Sequence, residues 1–79
     1  MTIQECISEA AQSVGIMPND IFLRTRQQPI SLGRQYAMYL LRHEEFSYPQ
    51  IAQILELKDH TTIIHGVERI RRILKNESL

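Results

Sequence analysis

The chain has 79 residues, 43% of them hydrophobic, which supports one soluble domain with a small core. Nine basic and nine acidic residues cancel to a formal charge of zero, so the molecule as a whole is no magnet for nucleic acid, yet the charge is polarised. Residues 1–23 carry Glu5, Glu9 and Asp20 and no cation, whereas residues 24–75 hold all nine basic residues against five acidic ones.

Thr2 and Glu5 form a capping box ahead of Ile3, Cys6, Ile7, Ala10, Ala11 and Val14, apolar residues at three- and four-residue spacing that run up to Gly15. The pattern predicts a helix over residues 3–14. Cys6 is the single cysteine, so no internal disulfide forms, and its position on that stripe predicts a buried structural thiol. Pro18, Asn19 and Asp20 followed by Ile21, Phe22 and Leu23 predict one short helical turn whose three apolar residues plug the core. Residues 24–29, Arg-Thr-Arg-Gln-Gln-Pro, lack periodicity and predict a loop. Two arginines spaced by two on such a loop suit a phosphate or a narrow minor groove, although solvation is the commoner fate of such side chains.

Ser31 is the expected N-cap of a helix over residues 31–43, with Gly33, Tyr36, Ala37, Leu40 and Leu41 as its core stripe. Arg34, Met38 and Arg42 share another face, a line of cations suited either to a DNA backbone or to surface pairing with Glu44 or Glu45. After a short connection, Ser47 and Gln50 form a second capping box around Pro49, which a first helical turn tolerates. Ile51, Ala52, Ile54 and Leu55 then give a helix of about two turns. Glu56, Leu57 and Lys58 separate it from a long last helix, and residues 76–79 are expected to fray.

That last helix divides into two arcs. Ile63, Val67, Ile70 and Leu74 face a core, while Thr61, Thr62, His65, Arg69 and Arg72 stack on the opposite side, given an advance of about 100° per residue. Short hydrogen-bonding groups thus come first and arginines later, a layout that suits a helix entering a DNA groove by its N-terminus. An amphipathic helix with a solvated face is the plain alternative. A short helix, a tight turn and a longer helix polar at its start make a helix-turn-helix over about residues 48–75. Ala52 stands where that motif has a small residue at the crossing and Leu57 where it has an apolar plug, while Glu56 occupies a position where glycine is common.

Enzymatic signatures are missing: no P-loop, dinucleotide fingerprint, HExxH or CxxC occurs. His60 and His65 fall about 140° apart around a helix, too far to share a metal. The expectation is therefore a non-enzyme with no catalytic residue, metal or cofactor. No apolar run approaches the roughly 18 residues of a membrane span, and the N-terminus lacks the regions of a signal peptide, so a cytoplasmic protein without membrane contact is expected.

The run Lys58-Asp59-His60-Thr61-Thr62-Ile63-Ile64-His65-Gly66 closely resembles the signature of the C-terminal DNA-binding domain of the bacterial replication initiator DnaA, a basic residue followed by DHTT, an apolar pair, and His with a small residue. The resemblance extends through Arg34-Gln35, through Ser47 and Pro49, and through the basic loop at residues 24–26, and covers about residues 3–75. It implies an all-α bundle of about five helices with a Trp-repressor-like helix-turn-helix, one domain over residues 1–79, reading short asymmetric boxes in duplex DNA. Carried over by position, Asp59, His60 and Thr61 approach base edges, Arg26 enters the minor groove, and Arg34, Gln35, Lys58, Thr62, His65 and Arg69 hold phosphates. The chemistry of these residues agrees: Asp59 can accept from an exocyclic amine, and Thr61 offers a hydroxyl and a methyl.

Duplex DNA is the partner so implied, with replication or regulatory proteins as further candidates and a monomer as the expected state. A stand-alone regulator of replication or transcription is the corresponding role. The nucleotide-binding module and the N-terminal partner-binding domain of the initiator have no counterpart in these residues, so assembling or melting an origin is not expected of this chain by itself. The basic loop is thinner than usual, with Gln27, Gln28 and Leu32 where basic or small residues are common, and the loop before Ser47 is about one residue shorter. An interaction module that keeps the fold without specific DNA binding is the rival, favoured by zero net charge and opposed by the intact DHTT run.

Overall fold

A computed structural model describes residues 1–77. Four α-helices and one 3₁₀ turn follow in the order α1 (Ile3–Val14), the 3₁₀ turn (Pro18–Phe22), α2 (Ile30–His43), α3 (Tyr48–Ile54) and α4 (His60–Glu77). Of the five helical segments expected, the second is thus only a 3₁₀ turn, and the α-helices number four. Helix α2 is the hub, packing against α1, the 3₁₀ turn, α3 and α4.

Local chemistry explains most of the boundaries. The reciprocal Thr2 and Glu5 capping box starts α1, and Gly15 ends it in the left-handed region at φ 76°, donating its amide to the Ala11 and Gln12 carbonyls. Ser47 and Gln50 cap α3 in the same reciprocal way, with Pro49 in its first turn. Two glutamates stand where a glycine would be easier: Glu45 after α2 and Glu56 after α3 both have positive φ, 71° and 60°. At the second, the Leu57 amide reaches back 2.8 Å to the Ala52 carbonyl, closing the α3 end while half-buried Leu57 packs on the core.

Three expectations need correction. Ser31 does not cap α2. The helix begins one residue earlier, because the Gln27 carbonyl accepts from the Ser31 amide at 3.0 Å and the Gln28 side-chain oxygen accepts from the Leu32 amide at 3.0 Å, which satisfies the first-turn donors from upstream. Leu23 does not plug the core: it is 49% exposed, and of the three apolar residues only Ile21 is fully buried. The third concerns the face shared by Arg34, Met38 and Arg42. Met38 is buried, and Arg42 donates to the Phe46 carbonyl at 3.0 Å with its guanidinium 4.7 Å from the Tyr48 ring centroid, fastening the end of α2 to the start of α3. Glu44 meets the Met1 amino group at 2.9 Å instead of an arginine.

The core draws on every helix, with Cys6, Ala10, Ile21, Ala37, Leu41, Ile51, Ile63, Val67 and Ile70 among its buried members. Each large aliphatic side chain buried there contributes about 1.5–3 kcal/mol. Ile63, Val67 and Ile70 are the predicted inner arc of α4, and Leu74 is half-buried at its far end. Residues 78 and 79 of the expected fraying tail lie outside the described residues, and the helix continues through Glu77. Among the described residues no helix is long and apolar enough to cross a membrane.

Helices α2 and α4 come close together at Gly66. A Cβ built there would lie 2.4 Å from the Met38 sulfur and 3.3 Å from Gln35 Cγ. Alanine at this site gains about 1 kcal/mol in helix propensity, but forcing a methyl against a buried methionine costs about 1–3 kcal/mol. Gly66→Ala is therefore expected to lower the melting temperature, and to be neutral or stabilising in a Met38→Ala background. Thermal melts of the four proteins of this double-mutant cycle check the coupling.

Candidate nucleic-acid interface

The connection from α3 to α4, residues 55–59, delivers the start of α4 to the surface. Lys58, Asp59, His60, Thr61, Thr62, His65, Arg69 and Arg72 are all exposed there, while Ile63, Gly66, Val67 and Ile70 turn inward. The polar arc read from the sequence is thus a solvent-facing stripe. Asp59, just ahead of that stripe, is also a cap: its carboxylate oxygen accepts from the Thr61 amide at 2.8 Å.

Beside this stripe lies a cleft of about 380 Å³ between the loop after the 3₁₀ turn, α2 and α4. Arg26, Arg34, Gln35, Thr62 and Arg69 line it together with Gln28, Ser31 and Met38. Five of the ten residues proposed from the sequence therefore meet around one concavity although they come from three segments. The other five, Lys58, Asp59, His60, Thr61 and His65, lie outside its wall on the exposed part of the stripe.

Within the cleft the groups are not equivalent. Arg26 is exposed, and among the described residues no hydrogen bond or ion pair holds its side chain back from a ligand. Arg34 is half-buried, and its guanidinium donates to the Leu23 carbonyl and, at 2.6 Å, to the Thr25 carbonyl. Burial lowers its pKa from the ordinary arginine value, and the two carbonyls offset part of the desolvation. A guanidinium carries five N–H donors in a fork, so a brace on the loop leaves donors for a second acceptor. Gln35 holds the one buried side-chain polar atom among the described residues that lacks a hydrogen-bond partner, its amide oxygen. Buried polar atoms are rarely left unpaired outside functional sites.

Four further residues take roles that sequence reasoning did not give them. Gln28 and Ser31 line the cleft because α2 starts earlier than its serine suggested. Met38 forms part of its floor, and Arg24 donates to the Glu56 carbonyl at 3.2 Å, linking the loop to the turn of the helix-turn-helix. A glutamine immediately before a proline and four residues before a helical amide was the available signal for Gln28. Arg24 offered none, since its partner is a main-chain oxygen far along the chain. Among the described residues no group of three or more His, Cys, Asp or Glu is arranged to hold a metal ion.

Comparison with known proteins bears on this arrangement directly. The family model described as bacterial dnaA protein helix-turn-helix matches residues 2–70, which takes in the loop, the cleft and the exposed start of α4 together. The chain belongs to this DnaA helix-turn-helix family. It is 38% identical over 72 residues to the chromosomal replication initiator protein DnaA of a Picosynechococcus species, an overlap of 89% of this chain and 16% of that protein. With the DnaA protein of Campylobacter jejuni it shares 32% over 79 residues, 99% of this chain and 18% of the relative. With that of Oenococcus oeni it shares 33% over 78 residues, 98% and 17% respectively. The chain spans less than a fifth of the length of these DnaA relatives. No solved structure matches it significantly.

The DnaA-type signature includes the Asp59 cap, and the cap titrates. The Thr61 amide, followed by the Thr61 side chain, holds the Asp59 carboxyl below its ordinary range. A carboxylate whose pKa is depressed by folding stabilises the protein above the ordinary aspartate range, and that contribution is lost as pH falls through the folded-state value. Asparagine keeps an acceptor at the cap but loses the charge facing the helix N-terminus. Asp59→Asn should therefore melt below the parent at neutral pH, and the gap should close as pH falls below the ordinary aspartate range. Melting curves of the two proteins across that range check it, and a constant gap would remove the charge from the explanation.

Proposed function

We propose that this chain binds duplex DNA sequence-specifically, in the manner of an initiator box reader, with α4 in the major groove and Arg26 in the adjoining minor groove. One observation carries the reading: an exposed loop arginine, the half-buried Arg34 and Gln35 of α2, and Thr62 and Arg69 of α4 surround a single cleft beside the polar start of a helix-turn-helix. Such a concavity suits the sugar-phosphate ridge between two grooves, with cations on both walls. The family membership and the name of the relatives, chromosomal replication initiator, support the same reading and suggest a part in replication or its control.

In this proposal the roles follow position and chemistry. Asp59, His60 and Thr61 occupy the exposed first turn and meet base edges: Asp59 accepts from a cytosine or adenine amine, and Thr61 presents a hydroxyl and a methyl. Lys58, Thr62, His65 and Arg69 flank them along the stripe and hold phosphates, together with Arg34 and Gln35 across the cleft. Gln35 holds a phosphate through its amide nitrogen, the end of that side chain that can donate to a phosphate oxygen. Arg34 has two duties, to brace the loop and to meet the backbone. The zero net charge is no obstacle, since the cations gather on the residues after position 23.

A binding selection on random duplex DNA tests the proposal, with enrichment of one short asymmetric sequence expected at low salt. No enrichment over background would overturn it in favour of an interaction module. On the selected duplex, Arg26→Ala is expected to weaken binding by roughly 1–3 kcal/mol, mostly through A·T pairs at one end of the site, with the melting temperature unchanged. An equal loss on scrambled DNA would make Arg26 a plain phosphate contact.

Anchoring and reading separate in a salt titration. Arg69→Ala should lower affinity on all sequences and reduce the slope of log K against log salt by about one, the signature of one phosphate contact fewer. Thr61→Ala should leave the slope alone and narrow the margin between selected and scrambled DNA. The opposite assignment of the two effects would move the recognition face away from the first turn of α4.

A further inference from the structure

The loop that carries Arg26 is pinned on both sides by arginines that face the protein. Arg34 holds the Leu23 and Thr25 carbonyls from α2, and Arg24, between them, donates 3.2 Å to the Glu56 carbonyl in the turn of the helix-turn-helix. Among the described residues this is the one hydrogen bond that joins the loop, residues 24–29, to α3, its turn or α4. The Thr25 hydroxyl accepts from the Gln27 amide at 3.1 Å, so the main chain is fixed on either side of Arg26 as well. Glu56 is itself an unusual anchor, a non-glycine residue at φ 60° just past the end of α3, where outward carbonyls favour a cationic donor.

We propose that Arg24 is a positioning residue for DNA recognition: its bond to the Glu56 carbonyl sets the spacing between the loop arginine Arg26 and the recognition helix α4, without itself contacting DNA. This rests on the duplex-binding reading above. The physical basis is preorganisation. A reader that spans two grooves must present both elements at a fixed separation, and a loop that is free before binding loses that freedom on the DNA. Glu56 lies three residues ahead of Asp59, the cap of α4, so tying Arg24 to it references the loop to the same turn that delivers the base-reading residues. The loop is poor in cations beyond Arg24 and Arg26, so an arginine turned inward there is costly for raw attraction and makes sense as a strut.

The test is a double-mutant cycle of Arg24→Ala and Arg26→Ala, measured on the selected duplex and on scrambled DNA, with salt titrations and melting curves for each protein. Arg24→Ala is expected to weaken binding to the selected duplex roughly tenfold. Binding to scrambled DNA, the salt slope and the melting temperature should stay at the parent's values. In the Arg26→Ala background the same change should cost less than about twofold, since nothing is left to position. Without DNA, amide hydrogen exchange at residues 25–28 should be faster in Arg24→Ala than in the parent. Additive losses with a salt slope reduced by about one would make Arg24 a phosphate contact and overturn the inference. A fall in melting temperature with equal losses on both DNAs would make it merely structural and overturn it too. Failure of the unsubstituted chain to select any duplex is a separate result, and would remove the duplex-binding reading beneath it.

Discussion

The architecture depends on how closely α2 and α4 approach. Gly66 on α4 admits the Met38 sulfur and the Gln35 stem from α2, and the hydrophobic arc of Ile63, Val67 and Ile70 holds the contact from below. A side chain at that position would have to displace the buried Met38 side chain, and an interior packed at crystal-like density resists such a shift. Because Gln35 and Arg34 lie on the α2 wall of the cleft, and Thr62 and Arg69 on the α4 wall, the same approach that completes the core brings the polar groups of the two helices to face one another. Core and site are therefore one construction.

The second constraint is main-chain capture by arginine. Arg24 of the loop and Arg34 and Arg42 of α2 each donate to a backbone carbonyl of another segment, on Glu56, on Leu23 and Thr25, and on Phe46 respectively. A small domain has little core with which to hold its connections, and a planar five-donor side chain can hold a loop at several points for one residue. The consequence is a division among the cations: some fix loops inward, while Arg26 and Arg69 stay exposed at the cleft. Charge counting along the sequence cannot make that division.

Much of the fold was legible because it is locally encoded. Capping boxes at Thr2 and Ser47 and the left-handed Gly15 involve residues within a few positions of one another, so α1 and α3 could be bounded without tertiary information. The stripe of α4 was equally plain, as a single helix sorts apolar and polar residues by angle alone. Failures fell where a distant or unexpected partner decided. Ser31 was displaced as a cap by upstream groups of Gln27 and Gln28, and Leu23 was turned outward after a 3₁₀ turn that ends at Phe22. Met38 and Arg42, read as part of a surface line, were claimed by the core and by Tyr48.

By itself the sequence determined an all-helical chain ending in a helix-turn-helix, the exposed polar start of its last helix and the DHTT signature, since each depends on spacing along one segment. Only the tertiary structure decided which cations face solvent and which are spent on carbonyls, and that residues of the loop, α2 and α4 enclose a common cleft. The reason is physical. Periodicity reports the angle of a side chain about its own helix, whereas the partner of a flexible arginine is fixed by where another segment's backbone comes to rest.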